Sequence, residues 1–221
     1  MTFEKYIKNK DEMTSVRVLS TTARYRKLVA RAWGVGRTRL LWGWRLYSLG
    51  NRTVLSYSLQ VNNPRAVAIG SYVTIASQFV LADLCPGKGE VPKIVIGDGC
   101  MILYRFQCNA AQSVRIGRNV LIASNVLITD SDHVVEPGGV PVTKSHRFVT
   151  RPVCIEDHCW LGQNAVILKG VTIGHDSIVG ANSTVTHDVP PYSVAAGNPA
   201  RIIKTLKTPE DSVSINRDIL S

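Results

Sequence analysis

Several features that define common protein classes are scarce or missing in this 221-residue chain. The five cysteines are odd in number and include no CxxC pair, which argues against both a disulfide framework and a zinc-binding cysteine cluster. No uncharged apolar run approaches the roughly 18 residues that a membrane-spanning helix needs. The opening stretch MTFEKYIKNKDEM is too polar for a secretory signal. These features predict a cytoplasmic protein.

Acidic residues are also few, and the resulting charge is unevenly placed. The formal net charge is +10, and residues 1–60 contain 12 Lys and Arg against 3 Asp and Glu. Residues 61–200 contain 10 of each kind and are therefore neutral overall. The basic character of the protein thus belongs to its N-terminal segment.

A strict six-residue repeat dominates the C-terminal half of the sequence. It fits neither the 3.6-residue period of an amphipathic helix nor the two-residue period of an ordinary strand. A hexad repeat is typical of a parallel β-helix, in which three short strands close each triangular coil and stacking of coils buries the aliphatic position. The repeated aliphatic positions are Ile155, Leu161, Ile167, Ile173, Val179 and Val185.

The same frame extends upstream, with interruptions at residues 83–93 and 134–152. It predicts a mainly β protein with a β-helix over residues 61–200, a protruding loop over 134–152 and a C-terminal cap or short helix over 201–221. Cys100, Cys108 and Cys159 fall in slots that point inward. The upstream core positions are Ile69, Ile75, Leu81, Ile96, Ile102, Cys108, Ile116, Ile122 and Ile128.

Residues 1–60 combine basic and aromatic side chains and lack the hexads. Gly34, Gly36 and Gly43 are expected to break any long helix in this segment into pieces. One interpretation is a cap that covers the first coil. The other is a surface that contacts an anionic membrane, at its inner face, or an acidic polysaccharide. No nucleic-acid-binding motif accompanies the charge, so a nucleic-acid partner is not expected.

Two stretches carry a family resemblance over about residues 66–205. VRIGRNVLIASNVLITDSDH and CWLGQNAVILKGVTIGHDSIVGANSTVTHDVPPYSVAAGNPARIIK resemble the hexapeptide-repeat acyltransferases, most of all the bacterial lipopolysaccharide and capsule O-acetyltransferases. The resemblance implies a left-handed β-helix and acetyl-CoA as donor. It also implies a homotrimer with active sites between subunits. No metal is expected.

The resemblance assigns catalytic roles to a small set of residues. His133 matches the family histidine, and an imidazole there can accept the proton of an attacking hydroxyl near neutral pH. Asp130 or Asp132 could orient its ring. Trp160 matches the family tryptophan. Its indole N–H could donate a hydrogen bond to the developing oxyanion. Alternatively, its large side chain could seal a subunit interface.

Further positions are assigned to the two substrates. Tyr104 and Arg105 interrupt the small-residue preference of their coil, which suggests acceptor contacts, and His146 in the long loop either contacts the acceptor or is an ordinary surface histidine. By resemblance, the acetyl-CoA contacts are Trp160, Gln163, Ala181, Thr186, His187, Arg201 and Lys204.

The predicted function is acetyl transfer from acetyl-CoA to a hydroxyl of a bacterial surface saccharide, without an acyl-enzyme. A free sugar or an antibiotic is the alternative acceptor. A γ-type carbonic anhydrase shares this solenoid, but its histidine ligand pattern is absent apart from an IGH at His175. A non-catalytic solenoid is the third possibility, against which the combination of His133, Trp160 and Arg201 argues.

Overall fold

A computed structural model describes residues 21–56, 58–85, 91–145 and 147–206, and within residues 21–29 it describes the helical backbone only. Three parallel sheets wrap around one core, and each coil contributes one strand to each sheet in turn. Sheet 1 contains β1 (Ser48–Leu49), β4 (Val67–Ile69), β7 (Ile94–Ile96), β10 (Val114–Ile116), β15 (Val153–Ile155) and β18 (Thr172–Ile173). Sheet 2 contains β2 (Val54–Leu55), β5 (Thr74–Ile75), β8 (Met101–Ile102), β11 (Leu121–Ile122), β16 (Trp160–Leu161), β19 (Ile178–Val179), β21 (Ser193–Gly197) and β22 (Ala200–Thr205). Sheet 3 contains β3 (Leu59–Val61), β6 (Phe79–Asp83), β9 (Gln107–Ala110), β12 (Leu127–Thr129), β17 (Val166–Ile167) and β20 (Thr184–Val185).

The remaining elements lie outside the three sheets. Strands β13 (Ser131–His133) and β14 (Phe148–Thr150) form an antiparallel hairpin, called here the arm, which includes helix α2 (Val142–Ser145). Helix α1 (Thr21–Trp42) precedes the first coil. A short 3-10 turn covers Pro64–Ala66.

The hexad positions form the core, as the sequence predicts. Every predicted aliphatic position from Ile69 to Val185 is buried, and the inward-pointing cysteines are confirmed. Equivalent positions stack in register, so that Ile116 pairs with Ile155 and Ile122 with Leu161. The coils thus bury one another's apolar faces, which no single coil can do alone.

Tight corners between the sheets explain the small residues that follow each core position. A Cβ added at Gly97 would lie 2.5 Å from the carbonyl oxygen of Gly117 in the next coil, so only glycine fits. The residue three positions after many of the core residues also lies in the corner and adopts a positive φ, as Asn119 and Asn164 do. Asparagine tolerates this left-handed conformation better than most residues do.

The N-terminal segment differs from the sequence prediction in two ways. The first coil begins at Ser48, and therefore residues 48–60 belong to the solenoid rather than to the preceding cap. The prediction that glycines break the helix is wrong for two of them, because α1 runs through Gly34 and Gly36 and ends just before Gly43. Gly34 lies against Val54 of the first coil, where an added Cβ would approach the Val54 Cγ1 to 3.0 Å.

The described part of the C-terminal tail ends the solenoid as an edge strand. Strand β22 turns back antiparallel on β21, with Ala195 opposite Ile202 and Gly197 opposite Ala200. Up to residue 206, the tail therefore caps the solenoid with a β-strand rather than with a helix. Among the described residues, no helix combines the length and apolar composition that crossing a bilayer would demand.

Candidate active site

The arm holds His133 away from the solenoid. The chain leaves sheet 3 after β12, forms the arm, and returns to the solenoid at β15 of sheet 1. The arm therefore begins and ends at the corner between sheets 3 and 1. His133 ends β13 opposite Phe148 of β14, and the two ring centroids are 4.7 Å apart with a tilt of 41°. The imidazole is exposed at its other side. An exposed ring fixed by an aromatic neighbour is suited to accept a proton from a bound substrate.

Asp130 lies inside the corner rather than beside the imidazole. Its carboxylate is 0% exposed and accepts hydrogen bonds from the backbone N–H groups of Ala111, Gln112 and Ser113, at 2.7, 2.7 and 2.6 Å. No hydrogen bond joins it to His133 in the described chain. These contacts give Asp130 a structural role at the root of the arm and do not support the orienting role.

Asp132 contacts a cation instead of the histidine. Its carboxylate forms an ion pair with the ammonium group of Lys169, which follows β17 at the same corner. Because neighbouring residues of a strand point to opposite faces, Asp132 and His133 diverge from each other. Within one copy of the chain, no described carboxylate therefore orients the His133 ring.

Trp160 lies on the outer face of sheet 2 and is 37% exposed. It stacks in register between Leu121 of β11 and Ile178 of β19. The face of sheet 2 is opposite the corner between sheets 3 and 1, because the three sheets enclose a triangular prism. Trp160 and His133 thus point away from each other across the same copy of the chain.

The corner between sheets 2 and 3 gathers three of the predicted substrate-binding residues into one column. Backbone hydrogen bonds link each coil to the next here, from Asn125 N–H to the Tyr104 carbonyl and from Asn182 N–H to the Gln163 carbonyl. Tyr104, Gln163 and Ala181 consequently occupy equivalent positions on different coils. Gly162 is buried in close contact with the next coil, where an added Cβ would lie 2.6 Å from the Ala181 nitrogen, whereas Gln163 and Ala181 are exposed along this corner.

Arg105 occupies the next column of that corner, with a positive φ of 56°. Its guanidinium donates a hydrogen bond from Nε to the Gln78 side-chain oxygen at 3.0 Å. In the same column, Asn164 accepts from Asn125 and donates to Asn182, at 2.9 and 2.8 Å. These side chains form a polar edge beside Tyr104, the chain neighbour of Arg105.

The end of the prism contains a pocket of about 320 Å³ that includes His187 and Arg201. His187 follows Thr186, whose hydroxyl lies 2.8 Å from the His187 Nδ1, at the corner between sheets 3 and 1. Arg201 is exposed on β22, with one guanidinium nitrogen on the Ala200 carbonyl. Lys204 is exposed on the same strand. Asp188 also lines the pocket, and its carboxylate accepts a hydrogen bond from the Thr172 backbone N–H. The exposed Arg201 and Lys204 are cations that could attract a phosphate-bearing ligand.

The other histidines lie elsewhere. His146 is outside the described residues. His158 and His175 face outward at the corner between sheets 1 and 2, where both approach Asp176, at 3.4 and 3.0 Å. In the described ranges, no three His, Cys, Asp or Glu side chains are placed to hold a metal ion.

Two contacts of the site were missed by sequence reasoning. Phe148 contacts His133, which lies 15 positions before it in the sequence. Lys169 contacts Asp132, which lies 37 positions before it. Neither belongs to a repeat position with a distinctive residue type. The one available signal was the long loop itself, because a hairpin must place a partner opposite His133.

Comparisons with known proteins agree with this architecture. A family model described as the hexapeptide repeat of succinyl-transferase matches residues 152–187. Escherichia coli galactoside O-acetyltransferase is 44% identical over 63 residues, and a Staphylococcus aureus protein named as an acetyltransferase is 39% identical over 70 residues. These matches cover 28% and 32% of this chain, and the chain spans about a third of those relatives, at 31% and 35%.

Solved structures match over much more of the chain. An N-acyltransferase from Bacillus cereus, AntD, crystallised with dTDP-4-amino-4,6-dideoxyglucose and coenzyme A, superposes with a TM-score of 0.65 at 22% identity over 83% of this chain and 95% of its own. A Clostridium difficile maltose O-acetyltransferase gives 0.52 at 24% identity over 84% and 86%. They show that the fold is the left-handed parallel β-helix. In its repeat and its fold, the chain is similar to the hexapeptide-repeat acyltransferases.

Proposed function

We propose that the protein transfers an acetyl group from acetyl-CoA to a hydroxyl of a saccharide, with His133 as the general base. The observation that carries the proposal is the exposed imidazole of His133, fixed on Phe148 at the root of the arm. The name of the galactoside O-acetyltransferase supports the reaction class, because 63 residues of that protein are 44% identical to this chain. The surface-saccharide part rests on resemblance and is tested through the choice of acceptor.

The reaction proposed for His133 is a direct transfer. The imidazole takes the proton of the acceptor hydroxyl as that oxygen attacks the thioester carbonyl carbon. The carbon–sulfur bond then breaks, the acetyl ester remains on the acceptor, and the proton passes to the thiolate of the released CoA. A positioned base of this kind contributes about 10²- to 10⁴-fold to the rate.

We propose that two copies of the chain complete each site. His133 belongs to the corner between sheets 3 and 1, whereas Trp160, Gln163 and Ala181 belong to sheet 2 and its corner with sheet 3. A substrate that touches His133 and Trp160 together needs the arm of one copy beside sheet 2 of another. This arrangement supports the homotrimer that the family resemblance implies.

The donor is expected along the corner between sheets 2 and 3 and toward the end pocket. The exposed residues Gln163 and Ala181, which follow one another along this corner, are the proposed contacts of the pantetheine arm. Arg201, His187 and Lys204 lie where the phosphates would be bound, with Arg201 and His187 sharing the pocket.

The first experiment measures CoA release from acetyl-CoA with a panel of acceptors, comparing wild type with His133→Ala. The panel contains capsule-type polysaccharides, galactosides, maltose and an amino sugar, because one fold neighbour is an N-acyltransferase. We expect a loss of about 10²-fold or more in kcat with acetyl-CoA binding retained. His158→Ala is the matched control, since His158 is exposed at a different corner.

Two results would contradict this proposal. Acceptor-dependent release that survives His133→Ala removes His133 as the base. A wild-type protein that binds no acetyl-CoA removes the donor and restores the non-catalytic solenoid as the better interpretation.

A mixing experiment tests the shared site. His133→Ala and Trp160→Ala proteins are prepared separately and then unfolded and refolded together. If the two residues act from different copies, some mixed sites contain both native residues and activity returns. A mixture that stays as inactive as its components, although it assembles normally, would place both residues in one copy's site.

Trp160→Phe separates the two roles of the indole. It removes the N–H and keeps most of the ring, so a donor role predicts a fall of about 10²-fold in kcat. A sealing role predicts near-normal kcat for Trp160→Phe and weaker assembly only for Trp160→Ala, measured by sedimentation.

A further inference from the structure

Helix α1 packs on the solenoid through small and polar residues. Gly34 lies against Val54, and the buried hydroxyl of Thr38 accepts a hydrogen bond from the Leu55 backbone N–H at 2.9 Å. Arg39 adds a hydrogen bond to the Leu49 carbonyl at 2.9 Å. A helix that capped a solenoid by the hydrophobic effect alone would place its large apolar side chains on this side. Here Trp42, at the end of α1, packs partly against the core, whereas Trp33 and Leu40 do not.

Among the described side chains of α1 and the following turn, several large apolar ones face outward, whereas Leu46 is buried. Trp33, Leu40 and Trp44 are 70%, 75% and 71% exposed. Trp33 and Leu40 are seven positions apart, which places them on one face of the helix. Such a concentration of exposed indole and aliphatic surface generally marks an interaction site.

A cation borders this apolar surface. Arg45 is exposed, and its guanidinium lies 4.8 Å from the centre of the Trp42 ring and 5.9 Å from that of Trp44. No acidic residue occurs in the sequence between Glu12 and Asp83. We call Trp33, Leu40, Trp44 and Arg45 together the basic aromatic face.

We propose that the basic aromatic face docks on an anionic lipid surface. Indole rings and aliphatic side chains favour the boundary between headgroups and acyl chains, and arginines beside them attract anionic headgroups. A second copy of the chain is a poorer partner, because the two faces would bring like charges together. An acidic polysaccharide would match the charge, but it would leave Leu40 and the indoles in water.

The proposal does not depend on the transferase activity, and its test uses the full-length chain. Purified protein is sedimented with vesicles of phosphatidylcholine alone and with vesicles that also contain phosphatidylglycerol. We expect binding to the mixed vesicles that weakens as salt is raised, because salt screens the arginines. We also expect a blue shift of tryptophan emission on binding.

Substitutions then separate the apolar and the charged contributions. Replacing Trp33 with serine, or Leu40 with serine, should weaken binding roughly tenfold each, since each removes an apolar side chain from the acyl boundary. Arg45→Gln should weaken it about fivefold. Val91→Ser is the matched control, because Val91 is 71% exposed but lies far along the chain, and it should leave binding unchanged.

Several outcomes would overturn the proposal. One is a wild-type protein that binds neither vesicle, or both equally. Another is a Trp33→Ser, Leu40→Ser variant that sediments as a smaller assembly than wild type, which would make the face a contact between copies. A third is retention of an acidic polysaccharide that depends on these residues while vesicles are ignored. Circular dichroism of each variant checks that the fold is unchanged.

Discussion

Helix α1 and the solenoid bury opposite kinds of side chain. The solenoid places Phe79, Phe106 and its hexad aliphatics inside and is neutral overall, whereas α1 buries Gly34 and Thr38 and exposes Trp33 and Leu40. Stacked coils gain stability from the apolar surface they remove from water. Helix α1 is held largely by close approach and hydrogen bonds. Large apolar and aromatic side chains therefore stabilise the solenoid by being buried, whereas in α1 Trp33 and Leu40 are exposed and available for contacts with other molecules.

The largest expected effect separates a buried from an exposed aromatic residue. Phe106 is fully buried and its ring centroid is 5.0 Å from that of Phe79. Phe106→Ala should lower the free energy of unfolding by about 3–5 kcal/mol, and Trp33→Ala by no more than about 0.5 kcal/mol. Chemical denaturation at one fixed protein concentration measures both. Equal losses would mean that Trp33 is covered in the native protein.

The next effect distinguishes the two acidic residues at the root of the arm. Asp130→Asn should cost about 2 kcal/mol, because the amide group presents a donor where three backbone N–H groups need acceptors. Asp132→Asn, which loses one exposed ion pair, should change stability by about 0.5 kcal/mol or less. The same denaturation assay applies. A larger loss for Asp132→Asn would reverse the structural assignment.

A glycine-to-alanine pair should give effects of opposite sign. At Gly97 the new methyl group meets backbone atoms of the next coil, and we expect a loss of about 1–3 kcal/mol. At Gly36, where nothing lies within 4 Å of the added Cβ, the same change should stabilise α1 by roughly 0.5–1 kcal/mol. Thermal unfolding followed by circular dichroism tests both. A destabilised Gly36→Ala would show that this helix face is already occupied.

The smallest effect concerns a surface pair of the solenoid. The backbone N–H and the guanidinium of Arg118 donate to Asp157 and hold the pKa of that carboxyl below its ordinary value. Because the pKa is lower in the folded state, the pair stabilises the protein at neutral pH, and this contribution is lost as the pH falls through the folded pKa. Asp157→Asn should therefore differ slightly from wild type at neutral pH. The difference should begin to shrink below about pH 4 and vanish once the pH is below the folded pKa of Asp157, and it should also shrink in salt. A difference that persists in acid would point to packing instead.

The sequence predicts the solenoid well because its determinants are local and repeated. Each of the core positions from Ile69 to Val185 is specified by its own hexad, and all are buried. Helix α1 was harder to predict, because glycine's low helix propensity argues for breaks, whereas Gly34 is required by its approach to Val54. Tertiary packing outweighs intrinsic propensity there.

The candidate site was less predictable than the fold. Its residues could be proposed one by one from resemblance, but their grouping depends on which corner or face each coil presents. The separation of His133 from Trp160 follows from the three-sheet geometry, and the burial of Asp130 follows from the turn at residues 111–113. Neither relation is encoded in the local pattern around these residues.

The arm enters and leaves the solenoid at almost one point. The Arg151 N–H donates to the Asp130 carbonyl at 2.9 Å, and the Arg151 carbonyl accepts from Gly170 N–H at 3.1 Å. The chain between these anchors can lengthen, shorten or change sequence at little entropic cost to the coils below. The arm can thus diverge in length and sequence among descendants of such a protein, while the coils of the solenoid are inherited unchanged.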